Sequence, residues 1–75
     1  MWLKFKNDVM VNLDHVLSIT KSEYGYKLIF LGMAGYATTL GFTQESDVKF
    51  VLEKITTALA ENVVGIQEID ATPTT

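Results

Sequence analysis

Between Lys27 and Glu45 the chain carries no charged residue, and this uncharged stretch constrains the fold more than any other feature. Its length touches the lower limit for a helix that crosses a bilayer, which needs about 20 consecutive apolar residues. Gly32, Gly35 and Gly41 interrupt it, and it contains Thr38 and Thr39. A reversal at Gly32-Met33-Ala34-Gly35 accounts for the pattern as two strands, because glycine supplies the backbone freedom that a tight connection needs. The sequence therefore predicts a hairpin, with one strand from Tyr26 to Leu31 and its return from Tyr36 to Phe42, and no membrane span.

The first strand of that hairpin is apolar on both faces. Tyr26, Leu28 and Phe30 point one way, and Ile29 and Leu31 point the other. An antiparallel sheet normally leaves one face wet, and one helix covers only one face. The second face must therefore curl on itself, lie under the C-terminal segment, or be buried against another subunit.

The remaining elements follow from periodicity. Met1, Leu3 and Phe5 alternate with Trp2, Lys4 and Lys6 as in a half-buried strand. Asn7-Asp8 reads as a tight turn, since both residues tolerate positive φ, and a second strand follows from Val9 to about Leu13. The spacing of Leu13 and Val16 breaks the alternation and suggests a short corner. A third strand is expected over Leu17–Lys21, with Leu17 and Ile19 on one face. Thr43 is the expected N-cap of a helix whose apolar stripe is Val48, Val51, Leu52, Ile55 and Leu59, with Asn62 as its stop. Residues 63–69 are apolar but contain Gly65, and suit an edge strand, a packed tail or a segment lent to a neighbouring chain.

The fold class expected is α+β, a small curved antiparallel sheet of four to five strands followed by one amphipathic C-terminal helix, with room for a short final strand. With 75 residues there is space for one domain, placed at 1–70, and the tail from Ala71 to Thr75 is expected to be disordered. Hydrophobic residues make up 48% of the chain and charged residues 20%, which suits a folded core rather than a disordered chain. The layout of short strands before one helix, with Val11-Asn12-Leu13-Asp14-His15-Val16 leading into a strand, resembles very small bacterial or phage accessory proteins. It contains no motif that singles out a family, so no functional residue is carried over.

Several function classes lose support on chemistry. There is no cysteine, which removes disulfides, thiolate nucleophiles and sulfur-bound zinc. His15 is the only histidine, and its neighbour Asp14 would point to the opposite face of a strand. No catalytic, metal-ligating or cofactor-binding residue is expected, and the glycines lack the spacing of a phosphate cradle. All six cations are lysine and the net charge is −3, so nucleic acid is a disfavoured partner. A Lys and aromatic face made of Trp2, Tyr24, Tyr26 and Tyr36 with Lys4, Lys6, Lys21 and Lys27 is the alternative reading, as a weak binder of single strands.

The leading expectation is a non-enzymatic protein-binding or assembly module of the cytoplasm that self-associates through an apolar sheet face or edge, with a dimer favoured. Phe50 falls about 200° around the helix from Val48, away from the stripe. It joins Ile29, Leu31, Val64 and Ile66 as the expected interface.

Overall fold

The computed structural model describes residues 1–74. The fold is α+β, with six short strands in two three-stranded sheets and one helix. The first sheet contains β1 (Trp2–Lys4), β2 (Met10–Asn12) and β6 (Ile66–Glu68) in the order β2-β1-β6. The second contains β3 (Val16–Lys21), β4 (Lys27–Gly32) and β5 (Ala37–Gly41) in sequence order. The helix α1 spans Glu45–Ala60.

Two sheets rather than one follow from the corner at Leu13–His15, a single 3-10 turn between β2 and β3. Two polar contacts fix it. The Asn12 side chain accepts a hydrogen bond from the Asp14 backbone N–H at 3.0 Å, and the terminal ammonium of Met1 lies 2.8 Å from Asp14 Oδ1. Chain direction changes there, so β3 pairs with β4 rather than continuing beside β1.

β1 and β2 pair antiparallel around Leu3 and Val11, which are both buried. Asn7 and Asp8, at φ 64° and 58°, make the reversal, as their tolerance of positive φ predicts. In the second sheet Leu28 and Phe30 face inward, opposite Leu40 and Thr38 of β5. Ile29 and Leu31 face outward beside Thr39 and Ala37. A register shift between Val16 and Ser18 separates two residues expected on one face: Ile19 packs against the core, while Leu17 is 70% exposed. A bulge puts two residues opposite one, so alternation cannot be carried across it.

The helix buries Val48, Val51, Ile55 and Ala58. Leu59 is in phase with that stripe but belongs to the last turn, where it is exposed and lines a shallow hollow with Leu13, Leu17 and Ile19. Gln44 rather than Thr43 is the N-cap, and it makes no side-chain cap bond. The Thr43 hydroxyl instead lies 3.3 Å from Asp47 Oδ2, one turn into the helix. At the other end Asn62 adopts φ 53°, and the N–H groups of Asn62 and Val63 donate to the Leu59 and Ala58 carbonyls. This is the left-handed stop expected of an asparagine.

The C-terminal segment joins the two sheets. β6 runs parallel to β1, with Trp2 beside Ile66 and Lys4 beside Glu68, which resolves the open reading of residues 63–69 as an edge strand. The expected disordered tail is corrected over residues 71–74. Ile69 N–H donates to Lys4 O, Lys6 N–H donates to Ala71 O, and Thr74 N–H donates to Gly41 O at 2.7 Å. Ile69 and Ala71 are buried in the core, and Pro73 is buried as well. The physical reason is that Ile69, Ala71 and Pro73 bury apolar surface there, which offsets the entropy lost in ordering the segment. Thr75 lies outside the described residues. The Phe5 and Phe42 rings, 6.3 Å apart between centroids, link the sheets from within. No helix among the described residues is long and apolar enough to cross a membrane.

Candidate interaction surface

The sheets are not sealed everywhere. At the end of the second sheet that carries the β4–β5 connection, a groove of about 340 Å³ opens between them. Phe30 and Val11, both core residues, form its floor. Trp2 and Met10 stand on the side of the first sheet, and Met33 and Tyr36 on the side of the second. All four are exposed, Trp2 at 43% and Tyr36 at 80%. Asn12, His15 and Thr38 are polar members of the lining, which contains no Lys, Asp or Glu.

Each wall has a local cause. Trp2 occupies the outer face of β1, next in register to Ile66 of β6 and Asn12 of β2. Met33 and Tyr36 are placed by a reversal in which Ala34 and Gly35 take φ 62° and 81°. Glycine accepts that conformation freely, whereas alanine in the left-handed region costs about 1–2 kcal/mol. Gly32 brings this connection close to the corner. A Cβ there would sit 3.2 Å from both the His15 and Tyr36 carbonyl oxygens.

The electrostatics beside the groove are simple. The ammonium of Met1, hydrogen bonded to Asp14, holds that carboxyl below its usual range, with His15 adding a smaller effect in the same direction. Asp14 is thereby held by the terminus, while His15 lines the groove. Elsewhere, a hydrogen bond from Lys21 to Glu45 at 2.7 Å lowers the Glu45 carboxyl and ties the end of β3 to the start of α1. A second hollow, of about 370 Å³ at the Asn7–Asp8 turn, is lined by Lys4, Lys6, Asp8, Glu68 and Asp70. Its charges have both signs, and Lys6 pairs with Asp70 at 3.5 Å, so it is a solvated depression without a preferred ligand charge. Among the described residues no three His, Asp or Glu side chains converge as a metal site.

The five residues expected at an interface are distributed over three places. Ile29 and Leu31 share the outer face of the second sheet, with Ile29 half-buried and Leu31 exposed. Val64, just before β6, and Ile66, its first residue, are exposed, and Ile66 adjoins Trp2. Phe50 is half-buried, packs against the core, and lies under the Lys54 ammonium at 5.5 Å from the ring centroid, so part of its surface is used within the protomer. Met10 and Met33 were outside the sequence-level expectation, because their meeting depends on how one sheet sits over the other. The aromatic residues also divide. Trp2 and Tyr36 share the groove, whereas Tyr26 lies with Lys21 and Glu23 at a separate hollow.

No protein-family model, curated protein or solved structure matches this chain, and the surface is therefore read from its own geometry.

Proposed function

We propose that the protein is a non-enzymatic assembly module that self-associates, and that the groove between the sheets is its working surface. One observation carries this reading: Trp2, Met10, Met33 and Tyr36 stand exposed around an opening whose floor is the core and whose lining has no formal charge apart from that available to His15. Large apolar side chains left in water at one place are the mark of a contact surface, since burying each is worth about 1.5–3 kcal/mol. Aromatic and methionine side chains are also the types enriched at the centres of interfaces. Such a module acts by contact, as a structural subunit, an adaptor or an inhibitor of a larger protein.

The second reading, single-strand binding by a Lys and aromatic face, has no observation in its favour. Lys21 and Lys6 are engaged by Glu45 and Asp70, and the aromatic residues do not form one platform.

Sedimentation equilibrium over a concentration series tests the proposal. The mass of two chains is expected for the native protein, and the mass of one for Tyr36→Glu, a substitution at an exposed hairpin tip that leaves the melting temperature nearly unchanged. A native protein that stays single up to about 1 mM would remove self-association, because an affinity weaker than about −4 kcal/mol supports no stable dimer.

A further inference from the structure

The chain has no cysteine, so its readily oxidised sulfur is confined to three methionines, Met1, Met10 and Met33. The fold treats them differently. The Met1 side chain is 5% exposed, and the residue packs against the core. Met10 is 41% exposed and Met33 57% exposed, and both line the groove between the sheets.

Local structure accounts for the difference. Along β2, alternation buries Val11 and leaves Met10 exposed at the end of the strand, opposite Lys4. Met33 opens the reversal between β4 and β5, and its carbonyl accepts a hydrogen bond from Tyr36 N–H. Two thioethers therefore stand on opposite walls above Phe30, with Trp2 and Tyr36 in the same lining. A thioether is apolar and flexible, and it packs well against aromatic rings. Its sulfoxide is polar, and covering it without a hydrogen-bond donor costs more than leaving it in water.

We propose that Met10 and Met33 form a paired oxidation site, whose conversion to sulfoxides turns the groove from a contact surface into a water-facing one. The oxidant is a hydroperoxide. The methionine sulfur attacks its terminal oxygen, a sulfur–oxygen bond forms as the oxygen–oxygen bond breaks, and the peroxide's proton moves to the departing oxygen. Each thioether gives up two electrons and consumes one peroxide, which leaves as water or an alcohol. The inference rests on the self-association proposed above and adds its regulation. Association and oxidation then oppose each other: a covered thioether is out of the peroxide's reach, and a sulfoxide resists being covered. Met1, shielded within the protomer, is the built-in reference.

The test uses the full chain, in a dilute sample of single chains and in a concentrated sample of pairs. In the dilute sample hydrogen peroxide is expected to oxidise Met10 and Met33 at least about tenfold faster than Met1, as mass spectrometry of the peptides reads. In the concentrated sample both rates are expected to fall toward that of Met1. Protein oxidised at Met10 and Met33 is expected to associate at least about tenfold more weakly, at an unchanged melting temperature. A methionine sulfoxide reductase is expected to restore the affinity. Equal rates at the three methionines, or an oxidised protein that pairs as tightly as before, overturn the switch while self-association stands. The double variant Met10→Leu with Met33→Leu checks the site. Its affinity, whatever the starting value, is expected not to respond to peroxide, and a response would put the reacting group elsewhere. Should that variant fail to fold, reversal by the reductase on the native chain decides alone. A native protein of one-chain mass at every concentration overturns both self-association and the switch.

Discussion

The molecule reverses direction in the same way at two places and with different chemistry. Asn7-Asp8 connects β1 to β2, and Ala34-Gly35 connects β4 to β5, each through two residues of positive φ. Asparagine and aspartate tolerate that conformation, and their turn lies beside a charged, solvated hollow. Alanine adopts it only at a cost, and its turn holds Met33 and Tyr36 out at the apolar groove. The first connection is explained by local preference alone. The second keeps a left-handed alanine and exposed apolar groups together, which local preference alone does not explain.

That contrast can be broken most severely at the groove floor. Phe30→Ala is expected to destabilise the fold by about 3–5 kcal/mol, since it removes a residue only 2% exposed from beneath the second hairpin. Urea unfolding measures this directly, and a loss below about 1 kcal/mol would mean that the floor belongs to solvent rather than to the core. Gly32→Ala comes next, with an expected loss of about 1–3 kcal/mol, because the added Cβ meets two backbone carbonyls that cannot rotate aside. The thermal midpoint reports it, and an unchanged midpoint would show that the hairpin can shift away from the corner without penalty.

A reciprocal exchange sharpens the comparison further. Ala34→Asn is expected to stabilise by about 0.5–1 kcal/mol and Asn7→Ala to destabilise by about 1 kcal/mol, both read from denaturation midpoints. Equal signs for the two would show that the turns are not the equivalents their dihedral angles suggest. The smallest effect is acid dependence away from both turns. Glu45 has its carboxyl lowered by Lys21, so the unfolded chain binds its proton first as pH falls. Its contribution is present above its ordinary value of 4.5 and lost as pH drops through the lowered one. Glu45→Gln should therefore flatten the urea midpoint between pH 5 and 3, and an unaltered slope would show that this exposed pair adds nothing.

How much was legible in the sequence depended on the range of the interaction. Asn7-Asp8, the stripe Val48-Val51-Ile55 and the stop at Asn62 are local signals, and each appears where expected. The outward placement of Ile29 and Leu31 follows from alternation alone. The division into two sheets was not legible, because a corner at Leu13–His15 does not say which strand comes next to which. The parallel pairing of β6 joins residues at opposite ends of the chain and leaves no mark in a three-residue segment. The same holds for the groove. Trp2, Met10, Met33 and Tyr36 come from separate elements, and nothing near any one of them announces the other three. Phe50 lies on the side of the helix where its angular position puts it, lining a surface hollow with Glu53, Lys54 and Thr57, while part of its ring also packs against the core.

The seam formed by Ile69, Ala71 and Thr74 has a consequence for the order of folding. These residues fasten β1 and β5, partners separated from them by much of the chain, so closing the seam waits on the largest loop in the molecule. Hairpins and helix can form earlier from neighbours in sequence. Until the last stitches are made, β1 lacks its parallel partner and β5 lacks the hydrogen bond from Thr74. A slow-closing chain would in that interval leave both margins open, and crowding would favour exchange of terminal segments between molecules.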